Sequence, residues 1–204
     1  MEKIMIINGS PRAPSSNSQQ YAALFSKVCW AETSYFNITK TNHTMLCQAM
    51  EGFSDVLFAF PLYTDGIPVI LLNFLKALEK APPQHRPVIS VLINCGFLEP
   101  AQNDTAVKIM QFYCKENGYP FGSVLKIGGG EAILKTPFRI LVHIKIKRLA
   151  TSIIRKKYCS LQVTMPISKK MFLKASAVYW ESRGKQNGIT KAQMADMQIE
   201  GPIK

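Results

Sequence analysis

Three short apolar runs constrain this chain more than any other feature of it. Residues 4–7 (Ile-Met-Ile-Ile), 55–60 (Asp-Val-Leu-Phe-Ala-Phe) and 87–94 (Pro-Val-Ile-Ser-Val-Leu-Ile-Asn) lack the polar alternation of a half-exposed strand. Each therefore reads as a strand buried on both faces. Helical periodicity fills the spaces between them. Residues 17–28 place Leu24, Phe25 and Val28 inward, and 44–50 form a second helical stretch. Residues 67–80 form a third, with Pro68 in its first turn, where a missing N–H does least harm. Residues 104–117 are stopped by Gly118 and Pro120. A weaker strand over 34–38 and another over 123–127, closing on Gly128-Gly129-Gly130, complete the alternation. Strands buried on both faces need helices on both faces, and a doubly wound parallel α/β sheet supplies them.

With 204 residues, 47% of them hydrophobic, one such domain with a sizeable core is expected. The expected division is a core over residues 1–131 and a basic helical C-terminal extension over 132–204, packed on the same domain. Within the extension, 139–158 puts Val142, Ile146, Leu149, Ile153 and Ile154 on one helical face and basic residues on the other. An extended piece over 161–165, a helix over 168–187 and a short last helix, opened by a Thr190/Gln193 capping box, follow. No apolar run reaches the length of a bilayer span and no signal-peptide pattern opens the chain, so a cytoplasmic protein is expected. Five cysteines (Cys29, Cys47, Cys95, Cys114, Cys159), odd in number and without C-x-x-C, suit buried reduced thiols better than disulfides or zinc. His43, His85 and His143 are scattered, and no metal site is expected.

The formal net charge is +12, unevenly placed. Lys135, Arg139, Lys145, Lys147, Arg148, Arg155, Lys156, Lys157, Lys169, Lys170 and Lys174 lie between Ala132 and Trp180, where there is no Asp or Glu. Such a surface attracts phosphorylated cofactors, nucleic acid or anionic lipid; a solvated basic face is the plainer reading.

The loop after the first strand carries the chemistry. Asn8-Gly9-Ser10-Pro11-Arg12 runs through Ala13-Pro14-Ser15 to Ser16-Asn17-Ser18 at a helix start. Free backbone N–H groups and the positive helix end converge there, and Ser10, Ser16 and Ser18 can donate hydroxyl bonds. Arg12 can pair with phosphate. The pattern matches neither G-x-x-x-x-G-K-[ST] nor G-x-G-x-x-G, which counts against a P-loop or a dinucleotide fingerprint. Ligands of doubly wound sheets sit beyond the strands' carboxyl ends at the switch point. The loops after the first and third strands meet at that place. Pro61-Leu62-Tyr63 offers an apolar and aromatic wall there, and Asn94-Cys95-Gly96-Phe97 offers close backbone approach.

These two motifs, 8–18 and 61–68, resemble the NADPH-dependent FMN reductase branch of the flavodoxin-like superfamily, with similarity over about residues 3–130. The fold implied is a flavodoxin-like doubly wound five-stranded parallel sheet of order 2-1-3-4-5. The resemblance implies that Ser10, Arg12, Asn17 and Ser18, with Ser16 beside them, bind the FMN phosphate. It implies that Pro61, Leu62 and Tyr63 contact the ring, joined by Asn94, Gly96 and Phe97. The loop after the fourth strand departs from the family in lacking its glycine-rich run, and Cys95 reads as a small buried thiol. The implied activity is an FMN-dependent NAD(P)H oxidoreductase that passes hydride from a nicotinamide to FMN and on to a quinone, flavin, nitro or azo acceptor. The cofactor carries that chemistry, so no catalytic side chain is assigned. A flavodoxin-like electron carrier and a flavin-fold interaction protein using its basic tail are the alternatives. The expected partners are a small-molecule acceptor, a homodimer mate and a weak anionic membrane contact through 138–158, with no nucleic acid.

Overall fold

The computed structural model describes residues 3–195. Its centre is one parallel sheet of six strands: β1 (Lys3–Asn8), β2 (Glu32–Asn37), β3 (Asp55–Pro61), β4 (Val88–Asn94), β5 (Phe121–Ile127) and β6 (Ser160–Val163). The strand order is β2-β1-β3-β4-β5-β6. The first five strands stand in the expected order; the sixth corrects the expected count of five. β6 pairs Ser160–Val163 with Val124–Ile127 along what would otherwise be the open edge of β5. Only Leu161 and Val163 point inward, alternating with exposed Ser160 and Gln162. The extended piece expected over 161–165 is this strand, but two inward residues in four carry too little pattern to announce that it joins the sheet.

Helix α1 (Asn17–Val28) and helix α5 (Arg139–Ile154) cover one face of the sheet. Helices α2 (His43–Ala49), α3 (Val69–Lys80) and α4 (Asp104–Glu116) cover the other. Alternation along the strands divides the core accordingly. Met5, Ile7, Phe58, Phe60, Val91 and Ile93 join Leu71, Phe74 and Met110 under α3 and α4. Ile4, Ile6, Leu57, Leu92 and Leu125 on the opposite face are fully buried as well. A fully buried side chain of this size contributes about 1.5–3 kcal/mol. Three hydroxyls interrupt the apolar layer beneath α5: Ser90 accepts the Ser123 N–H at 3.0 Å, and Ser123 and Ser152 share a 2.7 Å hydroxyl bond.

Two helix ends differ from expectation. Pro68 is the N-cap of α3, with extended ψ of 143°, so the helix starts one residue after it. α5 stops at Ile154, short of Tyr158, because Lys156 takes a left-handed φ of 54°. The Lys156 N–H then bonds the Ile153 carbonyl and the Lys157 N–H bonds the Ser152 carbonyl, both at 3.0 Å. That pair of bonds is a Schellman closure, usually built on glycine.

The chain divides after Met165 into two compact units, Met1–Met165 and Pro166–Lys204. The first takes in α5 and β6 and so runs beyond residue 131, where the core was expected to end. The second holds α6 (Lys169–Gln186) and α7 (Lys191–Met194). Ser168 caps α6 by accepting the Met171 N–H, and the expected Thr190/Gln193 capping box opens α7. Gly184 lets the two helices close: a Cβ there would stand 2.5 Å from the Met194 sulfur.

Cys47, Cys95 and Cys114 are buried and Cys29 is half-buried, but Cys159 is exposed, which corrects the reading of all five as buried thiols. It lies just before an edge strand, where one side has no covering layer. Burial pushes the Cys114 thiol up to about 12 from 9.0, and the Tyr119 hydroxyl up to about 12 from 10.0. The folded chain keeps these protons longer than the unfolded chain does, so their contribution is complete below pH 9 and is lost as pH rises towards 12. The denaturation midpoint should accordingly fall through that alkaline window. In Cys114→Ala the decline should be shallower by up to about 1.4 kcal/mol per pH unit, measured by denaturant titration across a pH series.

Candidate functional site

The loops after β1, β3 and β4 leave the same edge of the sheet, and two buried amides hold them. Asn8 ends β1 with its side chain fully enclosed. Its Oδ1 accepts the Ser10 N–H at 3.0 Å; its Nδ2 reaches the Tyr35 hydroxyl at 2.9 Å, Asn37 Oδ1 at 3.1 Å and Ser16 Oγ at 3.4 Å. One side chain thereby grips both ends of the loop between β1 and α1. Gly9 is pressed against α3, where a Cβ would lie 3.1 Å from Leu71 Cβ.

Within that loop Ser10 is buried, and its hydroxyl accepts the Arg12 N–H at 3.3 Å. Ser16 is the N-cap of α1, taking the Gln19 N–H on its hydroxyl at 3.2 Å and the Gln20 N–H on its carbonyl at 3.3 Å. The N–H groups of Asn17 and Ser18 precede that first helical bond and point off the positive end of the helix. Ser18 is buried; its oxygen accepts from Asn94 Nδ2 at 2.9 Å, which leaves its own proton to donate. Arg12 is exposed over the loop, and residues 3–31 contain no Asp or Glu. Hydroxyls, helix N–H groups and one guanidinium, with no carboxylate among them, form a donor set for a multiply charged oxyanion.

The second half of the site is apolar. Leu62 donates its N–H to the Asn94 carbonyl at 2.7 Å, continuing the register in which Pro61 faces Asn94. Tyr63 and Gly66 then exchange N–H···O bonds of 3.1 and 3.0 Å around Thr64 and Asp65, whose φ values are 49° and 55°. This is a type I′ turn, with a β-branched residue in a conformation that such residues rarely adopt. The turn carries Tyr63 outward, 57% exposed, and Phe97 beyond β4 is 50% exposed. A Cβ on Gly96 would meet nothing within 4 Å, so the space beside Phe97 is open.

Asn94 joins the two halves. Its amide donates to Ser18 and, at 3.3 Å, to the Phe60 carbonyl, so it spaces the phosphate-type loop from the ring-type loops rather than pointing out of the site. Cys95 turns inward: its sulfur lies 3.6 Å from the Phe97 carbonyl and accepts from Asn103 Nδ2 at 3.3 Å. Burial raises its pKa, in keeping with a neutral thiol that pins the loop.

The structure adds residues that the sequence reading did not single out for the site. The glycine run missing after β4 stands after β5 and closes on the β4 loop from the next strand. Gly130 donates to the Cys95 carbonyl at 2.8 Å, and a Cβ on it would stand 2.9 Å from Asn94 Cβ. A Cβ on Gly128 would overlap the Leu98 carbonyl oxygen. Tyr21 of α1 donates its hydroxyl to the Gly130 carbonyl at 2.7 Å. Three consecutive glycines at a strand end are a visible signal of close backbone approach; nothing in sequence marks Tyr21 as the support of Gly130 or Asn103 as the support of Cys95. Among the described residues no cluster of His, Cys, Asp and Glu is placed to hold a metal ion.

No family model matches the chain, and no curated protein sequence matches it. Solved structures do. Rubredoxin oxygen:oxidoreductase from Desulfovibrio gigas superposes with a TM-score of 0.60 at 12% identity, over 76% of this chain but 36% of that one. Flavodoxin from Streptococcus pneumoniae superposes with a TM-score of 0.56 at 12% identity, over 76% of this chain and 99% of that one. An FMN-dependent NADH-azoreductase from Bacillus anthracis, solved with FMN, superposes with a TM-score of 0.53 at 13% identity, over 75% and 99%. At such identities the likeness establishes the flavodoxin-like fold, here with a sixth strand.

Gly128→Ala should lower stability by about 2 kcal/mol, because a backbone oxygen occupies the methyl's place, while Gly96→Ala should stay within about 0.5 kcal/mol. Thr64→Asn should raise it by about 0.5–1 kcal/mol by easing the left-handed turn. Urea denaturation of the three variants checks all of these.

Proposed function

We propose that the chain binds FMN across the C-terminal ends of β1, β3 and β4 and works as an NAD(P)H-dependent oxidoreductase of the FMN reductase type. One observation carries this reading: a carboxylate-free oxyanion cradle is tied by the Asn94–Ser18 bond to a half-exposed aromatic wall. The residues present fit the cofactor. Ser10, Arg12, Ser16, Asn17 and Ser18 hold its phosphate, the first-turn N–H groups of α1 completing the shell. Leu62, Tyr63, Gly96 and Phe97 receive the ring, with Pro61 and Asn94 setting the spacing between the halves.

When bound, FMN supplies the redox chemistry, taking hydride from a reduced nicotinamide and passing electrons to an azo, nitro, quinone or flavin acceptor. The chain's own work is positional. Arg12 neutralises phosphate charge at the mouth of the cradle. The Tyr63 turn and the Gly128–130 brace on the β4 loop hold the ring walls at a set separation, and open space at Gly96 lets a flat ring approach backbone. The FMN-bound azoreductase among the structural neighbours supports an enzyme. The flavodoxin among them supports a second reading, an electron carrier, and the strongly basic charge weighs against that reading.

The visible spectrum of the purified chain, titrated with FMN and then with NADPH under argon, tests this. Uptake of flavin followed by bleaching is expected, with colour restored by an azo dye or quinone. Arg12→Ala should weaken FMN binding about 10- to 100-fold and leave riboflavin binding unchanged, because only FMN carries the phosphate. A bound flavin that NADPH does not bleach would establish the carrier instead; no uptake of either flavin would overturn the site.

A further inference from the structure

We propose that the outward face of α5 docks on an anionic membrane surface, so that the chain works as a peripheral membrane protein. The inner stripe of this helix, Val142, Ile146, Leu149 and Ile153, is buried on the sheet, and a surface helix of that kind normally turns polar residues of mixed sign outward. α5 does not. Its outward stripe runs Ile140, Ile144, Lys147, Arg148, Thr151, Arg155, spaced as one helical face. Ile140 is 62% exposed and Ile144 51%. From Ile144 onward the stripe lines an open groove of about 450 Å³ with Lys147, Arg148, Arg155 and Lys157.

Among the described residues none of these four cations has a carboxylate within ion-pair distance, and residues 132–180 contain no Asp or Glu. The negative end of α5 accounts for Arg155 and Lys157, near its last carbonyls, but not for Lys147 and Arg148, two turns back.

The second unit shows the same pairing of chemistries by itself. α6 exposes Met171 and Val178 on the face that carries Lys170 and Lys174, and its one carboxylate, Glu181, is engaged by Lys191 at 2.7 Å. Cations beside exposed aliphatic side chains match a bilayer's anionic headgroups over its acyl boundary. A nucleic acid would answer the charge and leave the isoleucines in water; a second copy would set like charges against each other. No described helix is long and apolar enough to cross a membrane, so the contact is with the surface.

Co-sedimentation of the full chain with phosphatidylcholine vesicles, with and without phosphatidylglycerol, tests this at about 0.05 M and about 0.5 M salt. Binding should need phosphatidylglycerol and weaken at the higher salt. The triple variant Lys147→Glu, Arg148→Glu, Arg155→Glu should bind about a hundredfold less tightly, at roughly fivefold per cation. Ile144→Ser, a change at a half-exposed position that removes little burial, should weaken the binding that survives at higher salt. Equal binding to neutral vesicles, or none to either, overturns the proposal. So does retention on heparin without vesicle binding, which would mean a soluble polyanion. So does self-association by light scattering that Ile144→Ser abolishes, without vesicle binding, which would mean a second copy. Flavin uptake is read separately in every variant, so failure here and failure of the cofactor site are distinguishable.

Discussion

A strand that is apolar on both sides cannot rest under a single layer of helices, and the arrangement of this molecule follows from that requirement. Covering both faces of β1, β3 and β4 forces each strand to return through a helix to a parallel neighbour. Parallel return puts every strand's C-terminal end on one edge. Three loops distant in sequence thus share a border without any contact having to be built for the purpose. The proposed site at that edge is a by-product of how the core is sealed.

The same geometry creates a polar problem at the border, because backbone leaves the sheet there while still partly enclosed. Two asparagines solve it. Asn8 collects Ser10, Ser16, Tyr35 and Asn37 around one amide, and Asn94 does the same for Ser18 and the Phe60 carbonyl. An aliphatic residue at either place would leave several buried donors and acceptors without partners, at about 1–3 kcal/mol each. The loops are therefore positioned by interior amides, while the Arg12 guanidinium and the Tyr63 and Phe97 rings stay exposed.

Legibility from sequence varied with how local the cause was. The bounds of α1 were readable because the Ser16 cap and the apolar spacing lie within the helix itself. β1, β3 and β4 were readable because burial on both faces writes itself into each run, and the order of five strands followed from the resemblance those runs and their loops carry. The place of β6 in the sheet was not readable, since its two inward residues gain meaning only from the open edge of β5. The early end of α5 depends on a left-handed lysine, a choice that sequence preference argues against. The site's outer residues stood in recognisable loops, whereas the bond from Tyr21 to Gly130, 109 positions apart, is a product of packing alone.

The hydroxyl chain under α5 has a bearing on the outside of the molecule. Ser90, Ser123 and Ser152 are buried polar groups in an otherwise apolar layer, and the 2.7 Å bond between Ser123 of the sheet and Ser152 of the helix is directional. Apolar side chains alone would tolerate a small roll of the helix, since their contacts are non-directional. The Ser123–Ser152 bond resists it, because a roll would break that bond in the core. The heading of Ile144 and Lys147 is thus set from within, like a compass card pinned at its centre, and a flat target meets that face in one orientation.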